Sequence, residues 1–382
     1  MDQTELSKIS IFFHDLGVGG AERVMLQIAH GLVQKGYSVD LVLAKAEGPL
    51  DIEVPHGVQV IDFNTRSPAI MFWKLVKYLR RVHPEALLSP FEVTSVVAIV
   101  AKKITGVTTR IIVRVSVQLS KNQRTSYWKK RLEQFVISRL YPLADEVVAV
   151  SHGVARDLAA YTGLPLERIE VIYNPSITEQ MLQASREPVS HPFFDTDQIP
   201  VILAVGRYTF QKDFPTLIRA FAELQKSLDA RLVIIGDGED RNALEQLVQE
   251  YELQDKVDLH GFELNPYAFM KRSNVFVLSS KWEGLPSVLI QALACGCPVV
   301  STNCPSGPSE ILADGVYGEL IPVGDPKSMM VAIQNILAGK RYAPAVDWIE
   351  QFTLSSILPK YQRVLGGTTN NITDGAFPSH HG

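Results

Sequence analysis

The chain has 382 residues, of which 46% are hydrophobic and 20% charged, with 25 glycines and 22 prolines. This length exceeds one ordinary hydrophobic core and predicts two domains, and the composition is typical of a globular α/β protein. The net charge of −4 excludes the overall basic field that nucleic-acid binding requires, and no apolar run reaches the length of a membrane span.

The three cysteines, Cys295, Cys297 and Cys304, lie within ten residues of one another. An odd number so placed argues against a disulfide framework and favours a reducing compartment. Cys-x-Cys across a helix-to-strand turn is a poor spacing for zinc, so we expect buried, small, apolar side chains. The first seven residues are polar and no cleavage pattern follows them, which favours a cytoplasmic protein or one at the cytosolic face of a membrane.

The first half of the chain alternates predicted strands with helical patterns. The strands are predicted at 9–13, 38–43, 58–61, 86–89, 109–115, 143–151 and 169–172. A loop containing Gly19 and Gly20 precedes the first helix, which is predicted to run to Gly36. Glycines at a helix start let a ligand approach the backbone closely, although such a loop can also serve only to turn the chain. Alternation without hairpin signals predicts a parallel sheet with helices on both faces.

The region from Met71 to Pro142 is rich in basic residues, with fourteen Lys and Arg against three Glu. Its first part, 71–81, predicts a basic helix with aromatic side chains, which is typical of helices that lie on anionic membranes. An ordinary solvated helix with a core-facing apolar stripe gives the same pattern. The residues expected to contact acceptor or membrane are Trp73, Lys74, Lys77, Arg80 and Arg81.

Residues 176–200 interrupt the alternation with prolines and mixed polar residues, so we interpret them as a linker between domains. The alternation restarts with strands predicted at 201–205 and 231–235 and a helix at 215–228.

The sequence therefore predicts two doubly wound domains, 1–175 and 201–352, that face each other across a cleft. A helix at 353–365 is predicted to pack back on the first domain. The tail 366–382, rich in Gly, Thr, Asn and Ser, is predicted to be disordered.

A strand, a loop and a helix start are predicted across 274–292. Pro286 suits the first helical position, since its missing N–H would be unpaired there. Free N–H groups at a helix start bind phosphates, whereas Glu283, at the carboxyl end of the strand, is better suited to hold hydroxyls. Glu283 could also be an ordinary acid that complements the helix dipole.

The loop that follows strand 201–205 carries a second chemical signal, Arg207 and Lys212. An arginine fork and a mobile lysine charge both bind phosphate oxygens, and fixed cations stabilise a departing diphosphate without a metal. The Asp-x-Asp sequence at 195–197 lies in the linker, so we do not expect it to hold a metal. A solvated basic loop would also carry such charges.

These stretches resemble the signature of retaining GT-B glycosyltransferases in the glycosyl transferases group 1 family. In that family a Glu is followed by Gly, an apolar residue and Pro, and a second Glu stands eight positions after the first. Glu283-Gly284-Leu285-Pro286 matches, but Gln291 replaces the second Glu. The resemblance covers roughly residues 9–365 and is looser in the first domain.

The resemblance implies roles for individual residues. Glu283 faces the donor sugar, and Arg207 and Lys212 match the diphosphate-binding pair. Gln291 stands at the ribose position, where a neutral amide should bind more weakly than a carboxylate. Alternatively, Gln291 points into the core and Glu310 holds the ribose. The implied donor-binding residues are Gly19, Gly20, Gly206, Gly236, Gly284, Leu285, Pro286, Ser287 and Gln291.

The resemblance also implies retaining, metal-independent transfer from a nucleoside-diphosphate sugar, with UDP-N-acetylhexosamine or UDP-hexose favoured. The expected acceptor is a glycan or a polyprenyl-linked glycan, with no cofactor, no nucleic acid and a peripheral membrane contact. Many relatives carry a His after the strand that contains Arg114, and this chain has none at 114–118, which leaves the acceptor-side chemistry open. The alternatives are a nucleotide-sugar-binding protein with little or no transferase activity, and a nucleotide-sugar epimerase.

Overall fold

The computed structural model describes residues 7–17, 19–48, 50, 54–121, 127–196 and 198–366. Two parallel sheets organise this part of the chain, one of seven strands and one of six. The predicted disordered tail lies outside the described residues except for Gly366, which ends the last helix. Asp197 of the Asp-x-Asp sequence also lies outside them.

The first sheet contains the strands of residues 8–171. Its strands are β1 (Lys8–Phe13), β2 (Ser38–Leu43), β3 (Val58–Asp62), β4 (Ala86–Ser89), β5 (Arg110–Val115), β6 (Glu146–Ala149) and β7 (Ile169–Val171). The strand order is β3-β2-β1-β4-β5-β6-β7, and every pairing is parallel. The helices of this domain are α1 (Gly20–Gln34), α2 (Pro68–Val82), α3 (Glu92–Thr105), α4 (Tyr127–Leu140) and α5 (His152–Thr162).

The second sheet has the order β10-β9-β8-β11-β12-β13 and is also parallel. Its strands are β8 (Val201–Val205), β9 (Arg231–Ile235), β10 (Val257–Gly261), β11 (Val275–Leu278), β12 (Val299–Thr302) and β13 (Glu319–Ile321). The helices from residue 179 to 350 are α6 (Glu179–Ala184), α7 (Phe214–Leu224), α8 (Arg241–Glu250), α9 (Pro266–Arg272), α10 (Ser287–Ala294), α11 (Pro308–Ile311), α12 (Pro326–Leu337) and α13 (Val346–Glu350). The structure confirms the prediction of two doubly wound domains.

The last helix, α14 (Leu354–Gly366), packs on the first domain. Its buried Ile357 and Tyr361 share a core with Ile11 of β1 and Ile28 of α1. On the opposite face of the same sheet, α3 lies between α2 and α4 and contacts both. Helices α2 and α4, which carry many of the basic residues of this region, therefore lie in one layer of the first domain.

The segment predicted as a linker, 176–200, contains α6 and buries Met181 and Phe194, and its place as the domain boundary stays a prediction. One strand boundary was wrong. The strand predicted at 143–151 is only the four-residue β6, since Leu143 belongs to a short 3₁₀ turn.

Two strands of the second sheet were missed, because β10 is a half-buried edge strand and β13 has only three residues. The helix predicted at 215–228 is α7, which ends four residues earlier, at Leu224.

The three cysteines are free and buried, as expected. Burial raises the pKa of the Cys295 thiol to about 11 and that of Cys304 to about 12. Among the described residues, no helix is both long enough and apolar enough to cross a membrane.

Candidate active site

Two loops of the second domain bring Lys212 and Glu283 together. The strands that precede them, β8 and β11, are neighbours in the sheet, so their carboxyl ends lie side by side. Lys212 Nζ lies 2.7 Å from Glu283 Oε1, and the Ser280 hydroxyl donates to the same oxygen at 2.7 Å. Glu283 is buried, and a buried carboxylate requires such partners to remain charged.

The same two loops are joined by further bonds. The Lys281 backbone N–H donates to the Gln211 carbonyl at 2.8 Å, and the Ser279 hydroxyl donates to the Lys212 carbonyl at 2.6 Å. Lys281 Nζ also pairs with Asp213 Oδ1 at 2.5 Å. The backbone that carries Lys212 is therefore fixed relative to the backbone that carries Glu283.

Two of the predicted glycines allow close approaches of the backbone. A Cβ at Gly236, where φ is +140°, would lie 1.9 Å from the Gly206 carbonyl oxygen, so the loops after β8 and β9 cross in contact. A Cβ at Gly284 would lie 1.9 Å from the carbonyl oxygen of Ser116, which belongs to the first domain. Glycine at position 284 therefore allows the two domains to touch beside Glu283.

The helix after Glu283 begins one residue later than predicted. Helix α10 starts at Ser287, so Pro286 is the residue that precedes the helix and not its first residue. Leu285 is buried, and its carbonyl accepts a hydrogen bond from Asn174 Nδ2 at 3.2 Å. The Ser287 hydroxyl accepts from the Ser176 hydroxyl at 2.9 Å. The start of α10 is thus tied to the segment where the chain leaves the first domain.

Gln291 lies on α10 and is 9% exposed. Its side-chain Nε2 donates to the Ser176 carbonyl at 3.4 Å, a long bond that holds the amide against the interdomain segment. The suggested replacement ligand, Glu310, has both oxygens engaged by the first domain, at the N–H groups of His152 and Gly153. The predicted ribose contact of Gln291 stays a prediction.

The glycine loop of the first domain places a carboxylate at the cleft. Gly19 caps α1, and a Cβ there would lie 1.9 Å from Glu22 Oε2, so glycine lets Glu22 fold back over the start of its own helix. Burial, followed by the charge of Asp15, raises the pKa of Glu22, and the charge of Arg207 acts in the opposite direction. Glu22 therefore lies within electrostatic range of the predicted diphosphate-binding arginine.

Arg114 is the largest fully buried side chain of the first domain. Its Nε donates to the Tyr361 hydroxyl at 3.1 Å and its Nη2 to Asn174 Oδ1 at 2.5 Å. Because Asn174 in turn donates to Leu285, the arginine orients a residue that contacts the second domain.

Among the residues that the structure describes, His191, Asp258 and His260 place potential metal ligands within 4.8 Å of one another. His191 Nδ1 accepts from the Phe193 backbone N–H at 3.1 Å, so its other nitrogen carries the proton that Asp258 accepts. Hydrogen bonds therefore account for this group, which joins the interdomain segment to β10.

Comparison with known proteins identifies the family. The family model described as Glycosyl transferases group 1 matches residues 190–351, and that of Glycosyltransferase Family 4 matches residues 18–180. The chain is 30% identical over 342 residues to a Campylobacter jejuni protein, with 87% of this chain and 90% of that protein covered. That protein is named N-acetylgalactosamine-N,N'-diacetylbacillosaminyl-diphospho-undecaprenol 4-alpha-N-acetylgalactosaminyltransferase. The chain belongs to the glycosyl transferases group 1 family.

Other relatives agree with this membership. The lipopolysaccharide core biosynthesis glycosyltransferase LpsE of Rhizobium meliloti is 27% identical over 330 residues, which cover 85% of this chain and 88% of LpsE. The solved structure of the lipopolysaccharide outer core galactosyltransferase WaaB in its apo form matches with a TM-score of 0.71 at 19% identity. The match covers 94% of this chain and 99% of WaaB. The protein is a glycosyltransferase of GT-B fold.

Some residues that line the cleft of this glycosyltransferase lie outside the motifs that the sequence analysis singled out. The Ser151 hydroxyl donates to the Gly284 carbonyl at 2.9 Å and lies 2.7 Å from the Ser306 hydroxyl. Asn174, just before Pro175, offered a weak signal, since it is a polar residue at the carboxyl end of a predicted strand, where ligands of open α/β sheets bind. Ser151 offered only its place as a helix cap.

The basic helices of the glycosyltransferase differ in their exposed apolar surface. Helix α2 exposes two large apolar side chains, Ile70 at 50% and Trp73 at 64%, and Lys74 donates to the Phe63 carbonyl. Helix α4 instead exposes three large apolar side chains, one helical turn apart, and Arg139 lies 5.3 Å from the ring of the third. These residues are Trp128, Leu132 and Phe135. The more apolar face therefore lies on α4, outside the residues predicted for membrane contact.

Proposed function

We propose that this glycosyltransferase moves a sugar from a nucleoside-diphosphate sugar to a lipid-linked glycan, with retention of configuration and without a metal. The observation that carries the proposal is the placement of Lys212 and Glu283, 2.7 Å apart at the carboxyl edge of the second sheet, with Arg207 in the same loop as Lys212. This edge of a doubly wound sheet is where ligands bind.

The charges fit the chemistry of the leaving group. As the bond between the anomeric carbon and the phosphate oxygen breaks, the diphosphate gains negative charge, which Arg207 and Lys212 stabilise. Glu283 accepts hydrogen bonds from hydroxyls of the donor sugar and holds the ring in place. The acceptor oxygen bonds to the anomeric carbon on the face that the diphosphate leaves, and its proton passes to the departing phosphate oxygen.

The donor and acceptor classes are supported by a relative. The Campylobacter jejuni protein is named as an N-acetylgalactosaminyltransferase that acts on a diphospho-undecaprenol-linked acceptor. We therefore favour a UDP-N-acetylhexosamine, with a UDP-hexose as the alternative, and a polyprenyl-diphosphate-linked glycan.

A lipid-linked acceptor is held in the membrane, so the enzyme must reach it at the membrane surface. Helix α4 presents Trp128, Leu132 and Phe135, with basic residues beside them, and α2 adds Trp73 and Lys77 in the same helical layer. Apolar side chains that enter the interface, surrounded by lysine and arginine, bind anionic membranes. We infer that this layer rests on the cytosolic face of the membrane.

The decisive test is a donor screen by mass spectrometry. The purified protein is incubated with single nucleotide sugars and a polyprenyl-diphosphate-linked glycan, with and without chelator. We expect one donor to add one sugar to the acceptor at the same rate in chelator, and the α-linkage of the product is checked by magnetic resonance. Tight nucleotide binding without transfer to any acceptor would contradict the proposal, as would activity that is lost in chelator and restored by a divalent ion.

The membrane contact is tested by flotation with vesicles that contain anionic lipid. We expect the double variant Trp128→Ser, Phe135→Ser to lose most vesicle binding. The matched control is Val346→Ser, which changes a side chain of similar exposure in the second domain. Equal flotation of the two variants would show that α4 does not enter the membrane.

A further inference from the structure

We propose that Glu310 is a positioning residue that docks the second domain onto the first and thereby sets Glu283 against the acceptor side of the cleft. The inference rests on the proposed function for its catalytic consequence. The contact between the domains can be tested independently of the proposed function.

The carboxylate of Glu310 enters a cradle made by the other domain. Its Oε2 accepts from the His152 backbone N–H at 2.9 Å, and its Oε1 accepts from the Gly153 N–H at 2.8 Å. These are the first two residues of α5, where unpaired N–H groups and the helix dipole favour a negative charge. An acid from one domain thus completes the helix start of the other.

A third group of the first domain reaches the same carboxylate. Burial, together with the charge and hydrogen bond of Glu310, raises the pKa of Tyr173 to about 12. The hydroxyl therefore stays protonated at neutral pH and can donate. Tyr173 is itself packed against Phe352, with ring centroids 5.3 Å apart. Two backbone N–H groups and one hydroxyl of the first domain therefore face the same carboxylate.

The cradle lies next to the backbone of the loop that contains Glu283. The Gly284 carbonyl, directly after Glu283, accepts from the Ser151 hydroxyl at 2.9 Å and from the Ser306 hydroxyl at 2.8 Å. A Cβ on Gly153 would lie 2.7 Å from Ser306, so the contact tolerates no larger residue there. Ser306 and Glu310 belong to one short segment of the second domain, so the hydroxyl contacts and the carboxylate contact act together.

This arrangement differs from the donor contacts. Arg207, Lys212 and Glu283 all belong to the second domain, so these proposed donor contacts do not depend on the contact between the domains. Within the described part of the chain, the hydrogen-bond donors to the Glu310 carboxylate, at His152, Gly153 and Tyr173, belong to the first domain, so both of its oxygens are engaged away from the donor. Its removal should therefore lower the fraction of molecules with a closed cleft, and with it kcat, while nucleotide binding is kept.

The kinetic test compares Glu310→Gln with Asp314→Asn. Asp314 is an exposed acid four residues further on, and asparagine tolerates its positive φ of 53°. We expect Glu310→Gln to lower kcat by about ten- to a hundredfold with UDP affinity within about twofold of wild type, and Asp314→Asn to change neither. Tyr173→Phe should show the same split with a smaller loss. A parallel loss of UDP affinity, or an unchanged kcat, would overturn the inference.

A cross-link tests the docking without any activity. In the double variant Ser151→Cys, Ser306→Cys, the two side chains replace hydroxyls 2.7 Å apart, and a mild oxidant should join them. The single variants control for pairing with Cys304. Adding Glu310→Gln should slow the cross-link at least fivefold. A cross-link that never forms, or that forms at the same rate with Glu310→Gln, contradicts the docking role. A Glu310-dependent cross-link in a protein that transfers no sugar would leave the docking intact and refute the proposed function.

Discussion

The two sides of the cleft are built from different kinds of groups. The second domain presents charged side chains in pairs, Lys212 with Glu283 and Lys281 with Asp213, held by loops that are neighbours in the sheet. The first domain contacts Glu310 and the Gly284 carbonyl of the second domain with backbone N–H groups and a hydroxyl, from His152, Gly153 and Ser151. Charge suits a diphosphate, whereas uncharged donors suit a surface that must close over it and release it.

The largest expected effect lies on the charged side. Glu283→Ala should lower turnover at least about a hundredfold, because the hydroxyls of the donor sugar lose the carboxylate that orients the ring. The fold should survive, as judged by circular dichroism and thermal unfolding, although Lys212 loses its partner. Glu283→Gln keeps the shape and one acceptor oxygen, and should retain more activity than Glu283→Ala.

The matched control for this test is Glu245→Ala, which removes an exposed acid of α8 in the same domain. Near-normal turnover of Glu283→Ala would remove Glu283 from the catalytic site and leave no charged contrast between the two sides.

The next effect concerns the cations. Arg207→Ala and Lys212→Ala should each lower both donor affinity and kcat, because the leaving diphosphate loses a fixed positive charge. For each variant the two losses should combine to about ten- to a hundredfold. Lys212→Ala should be the worse of the two, since it also leaves the buried Glu283 without its ion pair. Calorimetry with UDP and steady-state kinetics measure the two parts. Lys226→Ala, an exposed lysine of the same domain, is the control, and equal behaviour of all three variants would contradict the assignment.

The contrast also explains what the sequence could predict. Lys212 and Glu283 each lie in the loop that follows a buried strand and within a motif, so local pattern and resemblance were enough to select them. Their 2.7 Å contact follows from the adjacency of β8 and β11, which a parallel sheet made probable but the sequence did not state. Ser151 and Ser306 are 155 positions apart and carry no distinctive chemistry, so only the folded structure brings them together.

The strands differ in how clearly the sequence marks them. Long buried strands such as β1 and β8 have continuous apolar runs and were predicted within one residue. The edge strand β10 carries polar residues such as Asp258 because one side faces the interdomain segment, and no apolar run marks it. Membrane contact was predicted for α2 from charge and aromatic content and stays a prediction. The exposed apolar side chains of α4 were not singled out, because the sequence does not give exposure.

A smaller effect is expected at Gln291, which lies between the two sides. In Gln291→Glu the carboxylate faces the Ser176 carbonyl and has no proton to donate, so the free protein should lose about 1 kcal/mol of unfolding free energy. If the Glu side chain reaches the ribose in the complex, the ribose hydroxyls donate to the carboxylate and replace its unfavourable contact with the Ser176 carbonyl. UDP should then bind about 1–2 kcal/mol more tightly. Calorimetry with UDP and 2′-deoxy-UDP decides, and equal affinities across wild type, variant and both nucleotides would place Gln291 outside the ribose site.

The smallest effect tests whether the uncharged side of the cleft has an exception in Glu22. Burial and Asp15 raise the pKa of this acid, while Arg207 and Arg114 oppose the rise. Above that pKa the carboxylate competes with a diphosphate for Arg207, and below it the neutral acid does not. UDP affinity should therefore fall as pH rises through the pKa of Glu22, and Glu22→Gln should remove this part of the pH dependence.

At neutral pH we expect Glu22→Gln to bind UDP about two- to fivefold more tightly than wild type, the scale of a partly screened charge pair. At low pH the two proteins should converge, since wild-type Glu22 is then neutral as well. The titration of UDP itself is common to both and cancels in their ratio, which is the quantity to plot. A ratio that stays constant from acid to neutral pH would show that Glu22 does not compete with the diphosphate for Arg207.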